Sequence, residues 1–280
     1  MKNIISSITF FALLLLLFQG VLIAQVTISP TNLFIDDNAQ FGSYMVINGS
    51  NEAQEISIDF FFAYSHSDEN GTRGIVQDDS VSESLYSIAD NVRAFPRNFT
   101  LAPGQRQTVR LRVSGTNELQ DGTYWSRIKT TSTPETPPLE IQNNDAVTAR
   151  VGIKVEQVTG LFFKKGSVTT GIEINGIETS TENDGNTLNV LVDLLRTGNS
   201  PFLGTITTEV LNAQGSSVLS DFVSTSIYFD GKFKQQLNIQ DLQPGSYQIK
   251  VTFESSRTDI DQSRLVQMPV STQTVPFSIR

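Results

Sequence analysis

The sequence predicts an all-β chain of two β-sandwiches in tandem behind an export leader. Three observations predict it. Within residues 101–129, Ala102-Pro103-Gly104 is a turn, with Pro setting φ and Gly free to take φ > 0. Val109, Leu111 and Val113 then alternate with Arg110 and Arg112, the period of a strand with one buried face. Second, Leu119-Gln-Asp-Gly-Thr-Tyr124 leads into Trp125 and Ile128, a Leu-x-x-Gly-x-Tyr run of the kind that forms a tyrosine corner. Third, the corner returns at Leu242-Gln-Pro-Gly-Ser-Tyr247, ahead of alternating Ile249, Val251 and Phe253. The two corner tyrosines lie 123 positions apart, about one immunoglobulin-like domain plus a linker. No long stretch after the leader carries an apolar stripe of helical period.

Residues 1–24 read as a signal peptide. Lys2 supplies the positive start, residues 8–18 are apolar apart from Thr9, and Gln19-Gly20 breaks the run before Ala24. The run is short for a membrane span. The rest of the chain is expected to leave the cytoplasm for the periplasm, or for the outside or the cell surface. The whole chain carries −9; without the leader it holds 19 basic against 29 acidic groups, a charge of −10. Such a surface suits solubility and disfavours nucleic acid or an anionic membrane as partner. There is no cysteine, so disulfides, thiolate nucleophiles and lipidated cysteines are excluded. Each core must hold by packing alone, which domains of this size can do.

The first domain is expected over residues 25–157. Its opening strand holds Val26, Ile28 and residues 33–35, and Pro30 within it marks an edge or a switch between sheets. Asp36-Asp37-Asn38 turns, residues 41–47 form the next strand, and residues 48–51 turn again. Ile56, Ile58, Phe60 and Phe62 alternate over the third. Residues 67–84 are polar and read as a long loop, with His66, the sole histidine, beside it. Residues 131–145 hold three prolines and read as an extended linker before the domain's last strand, residues 147–155.

The second domain is expected over residues 158–280, with a hinge at 158–160. Residues 161–163 and 168–177 open it, and residues 181–186 turn. The alternations in 188–195 and 204–211 read as strands, Asn212-Ala-Gln-Gly215 as a hairpin loop, and Asp230-Gly231 as a second hairpin signal. After the second corner, polar residues 254–263 precede a final strand pair ending at residues 275–279, and no sorting tail is expected behind it. That makes about seven strands, the number a simple sandwich needs.

The order of motifs in residues 26–155 resembles the N-terminal domain of periplasmic pilus (fimbrial) assembly chaperones of the PapD-like type. It comprises Val26-x-Ile28-Ser29-Pro30-Thr31, Asn48-Gly49-Ser50, Phe95-Pro96, Leu101-Ala102-Pro103-Gly104 with Val109-Arg110-Leu111, and Tyr124-Trp125. The resemblance implies two immunoglobulin-like domains meeting at a cleft. It implies that the last strand of the first domain is added to the open edge of a pilus subunit, with backbone bonds for affinity and side-chain pockets for specificity. Two basic residues in the cleft would grip the subunit's terminal carboxylate. Set against that pattern, Asn32 falls where the cleft arginine is expected and Lys154 where the cleft lysine is expected. Asn cannot supply the bidentate grip of arginine. The donor face would be Val147, Ala149, Val151 and Ile153, with Leu139 and Ile141 serving if the strand starts earlier. The resemblance thus implies a diverged chaperone-like protein of the periplasm whose partner is an exported subunit. Tyr124 and Tyr247 are structural corners.

Enzymatic chemistry finds little footing. There is no G-x-S-x-G elbow, one histidine without cysteine cannot build a usual zinc site, and the carboxylate pairs Asp36-Asp37 and Asp78-Asp79 fall at turns. No cofactor or metal is expected. The alternative is a structural or adhesive surface protein using two sandwiches as rigid spacers, with its last first-domain strand well covered. An enzyme would instead show a concave pocket with clustered polar groups.

Overall fold

The structure is a computed structural model that describes residues 26–135, 153–182 and 185–279. The first unit holds β1 (Val26–Ser29), β2 (Asn32–Asp36), β3 (Phe41–Asn48), β4 (Gln54–Phe61), β5 (Tyr64–Ser67), β6 (Arg73–Val76), α1 (Ser80–Tyr86), β7 (Val92–Phe95), β8 (Asn98–Leu101), β9 (Arg106–Val113), β10 (Gly122–Pro134) and β11 (Val155–Lys165). Two sheets face each other, β1-β3-β9-β7 and β2-β11-β10-β4-β8. Alternation does the sorting. Val109, Leu111 and Val113 of β9 turn inward, and Ile56 and Ile58 of β4 meet them from the other sheet. Pro30 sits where the chain leaves β1 in one sheet and enters β2 in the other, so of the two roles read for it, edge or sheet switch, it takes the second. The turn after β3 is tied by buried Asn48, whose Nδ2 donates to Leu101 O at 2.9 Å and Glu52 O at 2.8 Å.

The second unit holds β12 (Thr170–Thr181), β13 (Thr187–Gly198), β14 (Phe202–Leu211), β15 (Ser217–Ile227), β16 (Gly231–Asn238), β17 (Gly245–Glu254) and β18 (Ser271–Ile279). Sheets β12-β13-β16 and β15-β14-β17-β18 enclose a second core around Leu188, Val190, Phe202, Ile206, Val251 and Phe253. The chain is therefore all-β, two sandwiches in tandem. Both corner tyrosines bond back four residues: Tyr124 Oη donates to Gln120 O at 3.1 Å, and Tyr247 Oη to Gln243 O at 2.8 Å.

The structure differs from the sequence reading at four places. The expected final strand pair is one strand, β18, preceded by a 3-10 turn at residues 262–264. Residues 158–160 are no hinge. They lie inside β11, which pairs with β10 from Val155 to Lys165, so the expected boundary between 157 and 158 cuts a strand. The reason is packing: Leu161 and Phe163 belong to the first core, and burying them there holds the strand in the first sandwich. Residues 67–84 are no loop either. His66 lies in β5, which pairs with β6 as a hairpin, and α1 follows. Asp230-Gly231 does not join a hairpin, because β15 and β16 belong to opposite sheets and the turn crosses between them. Of the predicted last strand, Val147, Ala149 and Val151 lie outside the described residues, as do Leu139, Ile141 and the middle of the 181–186 turn.

Candidate partner-binding edge and domain junction

β11 is bounded unequally on its two sides. On one side β10 pairs with all of it. On the other, β2 pairs in parallel only with Gly160 to Lys164. Among the described residues, 155–159 have no strand partner there. The direction of the backbone groups follows from one bond. Gly160 N–H donates to Thr31 O at 2.9 Å, so residue 160 points toward the β2 side. Groups alternate along a strand, so Glu156 and Val158 also turn their N–H and C=O to that side, where no strand receives them. The Val158 side chain is 52% exposed. Such an unpaired row is what an added strand needs.

The junction between the sandwiches begins where the free edge ends. In register, Asn32 stands beside Gly160. A Cβ at residue 160 would lie 2.6 Å from Asn32 Oδ1, so a larger residue there would push the Asn32 side chain aside. The Arg127 guanidinium occupies this space, with Nη1 3.6 Å from that Cβ position. Arg127 Nε donates to Ala63 O at 3.1 Å, and Nη2 to Tyr228 Oη, in the second sandwich, at 3.1 Å. Its guanidinium also lies 5.6 Å from the Tyr228 ring centroid. Burial pushes the Tyr228 phenol above its ordinary range, and the charges of Arg127, Arg257 and Arg73 oppose that. Burial likewise lowers Arg73, and the Arg257 charge adds to it.

Aromatic rings fill the rest of the junction. Trp125 stacks on Tyr86 at 4.9 Å and on Phe62 at 5.7 Å, and packs tilted against Tyr228 at 4.9 Å. Phe162, on the face of β11 opposite the first core, stacks parallel to Tyr228 at 6.4 Å. Polar bonds close the margins. Thr123 N–H donates to Asn199 O at 3.0 Å, Asn199 Nδ2 to Asp121 O at 3.0 Å, and Ser65 Oγ to Ser226 O at 2.9 Å. Lys164 Nζ donates to Arg264 O at 2.6 Å and sits over the Phe34 ring; burial lowers its pKa below the usual lysine range. A cleft of about 340 Å³ remains between the sandwiches, lined by Tyr86, Tyr124, Trp125, Arg196, Asn199 and Tyr228.

The residues expected in the cleft do not come together. Asn32 lies on β2 beside Gly160. Lys154 lies six residues before Gly160, roughly 20 Å away along the strand direction. It is exposed and pairs with Glu156 at 2.6 Å, which holds the Glu156 carboxyl below its ordinary value. Ile153 is 59% exposed. The cation beside Asn32 is Arg127, which the sequence reading passed over. β10 is covered on both faces where Thr123 to Ser126 are all buried, and only the completed fold shows that cover. Among the described residues no cluster of three or more His, Asp or Glu could hold a metal, and no helix is long and apolar enough to cross a membrane.

Comparison with known proteins gives two kinds of likeness. The family described as a secretion system C-terminal sorting domain matches residues 184–262, which run from the β12–β13 turn past β17 in the second sandwich. No curated protein matches the sequence. Among solved structures, the chain is similar to fimbrial and pilus chaperones. One is the CsuC–CsuE chaperone–tip adhesion subunit pre-assembly complex of Acinetobacter baumannii Csu pili. It has 10% identity, covers 89% of this chain and 98% of that one, and gives a TM-score of 0.45. The E. coli chaperone DraB is similar at 13% identity, over 89% and 96% of the two chains, with a TM-score of 0.41. The Salmonella enterica SafA pilin in complex with the SafB chaperone is similar at 12% identity, over 92% and 98%, with a TM-score of 0.40.

Proposed function

We propose that this chain is an exported, chaperone-like protein that binds an exported subunit by adding a strand to the free side of β11. The observation that carries the reading is the half-paired β11: Glu156 and Val158 turn backbone groups to a side that β2 does not reach. The geometry supports addition of an extended segment of about five residues, ending at the Asn32–Gly160–Arg127 junction. Arg127 lies at that end and supplies positive charge where an incoming chain would stop. In this reading the Ile153 and Val158 side chains contribute apolar contact to the partner.

The experiment is capture of exported proteins from the protein's own periplasm, identified by mass spectrometry, with wild type beside Val158→Pro. Proline removes an N–H that the β10 ladder does not use, and proline is tolerated at such edge positions. The expected result is an extended-segment partner held by wild type and lost from a Val158→Pro variant that still folds. A partner held equally by both would sink the strand-addition reading.

A second reading rests on the sorting-domain likeness of residues 184–262. In it, the second sandwich directs the protein to the cell surface, and both sandwiches act as a spacer. Cell fractionation separates the two, since the first reading expects the protein in the periplasm and the second expects it on the surface.

A further inference from the structure

The outer face of the β1-β3-β9-β7 sheet differs from the rest of this acidic protein. Its outward positions carry Arg106, Arg110 and Arg112 on β9, Arg93 on β7, and two exposed rings, Phe41 on β3 and Phe95 on β7. No Asp or Glu occupies an outward position on any of the four strands. The register places the groups in rows. Phe41, Arg112 and Arg93 lie side by side, and the next row holds Ser43, Arg110 and Phe95. The rings are 61% and 59% exposed.

Two features set this face apart from an ordinary solvated surface. Arg93 stands directly opposite Arg112, and like charges facing across strands destabilise a sheet. None of the four arginines makes an ion pair among the described residues. Arg93 is held only by the backbone carbonyls of Asp90 and Val92, and Arg112 lies 5.9 Å from the Phe41 ring centroid. No carboxylate among the described residues pairs with this face. A second copy presenting the same face would bring eight arginines together, so self-pairing through it is unfavourable.

We propose that this face docks on an anionic lipid surface, with the arginines on headgroup phosphates and the two phenyl rings dipping beneath them. The arrangement separates this occupant from an acidic protein. In a protein interface the aromatic anchors sit at the desolvated centre, with arginine beside them. Here three arginines run along the inner strand β9, and the rings stand apart from the centre on β3 and β7. A protein partner would have to strip water from Arg110 and Arg112. A headgroup layer leaves them hydrated and pairs them with phosphate, while aromatic rings favour that depth. The net charge of −9 does not forbid this. Charges farther away than about 8 Å are largely screened at physiological ionic strength, so the local patch decides. This inference does not depend on strand addition at β11, which is on the other sheet.

The test is co-sedimentation of the protein, starting at Gln25, with phosphatidylcholine vesicles with and without phosphatidylglycerol. Wild type is expected to sediment only with the anionic vesicles. Arg110→Gln with Arg112→Gln lowers the partition coefficient about 25-fold, from about fivefold per arginine at an anionic surface. Phe41→Ala with Phe95→Ala lowers it about tenfold, because apolar burial is lost. All four side chains are exposed, and circular dichroism confirms that each variant folds. Absence of binding, equal binding to neutral vesicles, or binding undiminished in both variants overturns the proposal. So does retention by a soluble polyanion such as heparin or by an acidic protein without binding to vesicles.

Discussion

At the scale of single residues, small groups decide large placements. Gly160 is the example, since a methyl there would press on Asn32 Oδ1, beside the Arg127 that holds Tyr228. Asp79 is another. It caps α1, accepting from Ser82 N–H at 3.0 Å, and takes the Tyr64 hydroxyl at 2.6 Å. The Ser82 backbone bond is the largest of the effects that hold its carboxyl at about 2 instead of 3.8. The folded-state value lies below the unfolded one, so the cap stabilises fully above about pH 4. That contribution fades as pH falls toward 2. An NMR titration of the Asp79 carboxyl is expected to show a midpoint near 2. A midpoint at or above 3.8 would mean that the cap and the Tyr64 bond are absent in solution.

At the scale of elements, the β5–β6 hairpin straps the two sandwiches together. It leaves the first unit and lays its tip on the second: Arg73 lies 5.8 Å from the Phe233 ring centroid, Ser65 bonds to Ser226, and Glu69 reaches Lys232 at 3.4 Å. Gly71 at the tip has φ +74°, and a Cβ there would come within 2.7 Å of Lys234 N and Leu191. Gly71→Ala is therefore expected to lift the tip and to cost about 1–3 kcal/mol. Chemical denaturation reads that cost, and small-angle scattering reads a looser junction. An unchanged profile in both would show that the tip does not dock. The same hairpin shows what the sequence left illegible. Strands with one buried face announce themselves by period two, which is why β4, β9, β13 and β17 could be read from residues alone. Residues 67–84 have no such period, because their buried side is the other sandwich and only the completed fold supplies it. β11 was misplaced for a related reason. Its inward residues, Leu161 and Phe163, alternate with Phe162, buried in the junction, so a strand covered on both faces reads like the start of a new domain. Of the candidate site, Asn32 was singled out by the resemblance to pilus chaperones. Arg127 was not, because an arginine within a strand reads as surface until Tyr228 arrives from 101 positions away.

At the scale of the whole molecule, two cores and a shared aromatic junction divide the labour. Each core is sealed by its own corner tyrosine, and the junction fixes one sandwich against the other through Trp125, Tyr228 and their neighbours. A fixed junction gives the free side of β11 a defined end at Arg127, so an added strand would enter with a set register. The central claim is that this side of β11 is open in the free protein and is filled by a partner. Residue-resolved amide hydrogen exchange tests it most directly. The account predicts fast exchange at Glu156 and Val158 beside slow exchange at Gln157 and Thr159, whose N–H groups face β10. It further predicts that Glu156 and Val158 become protected in the complex with a captured exported partner. Equal protection of all four amides in the free protein, or continued fast exchange at Glu156 and Val158 in the complex, would contradict it.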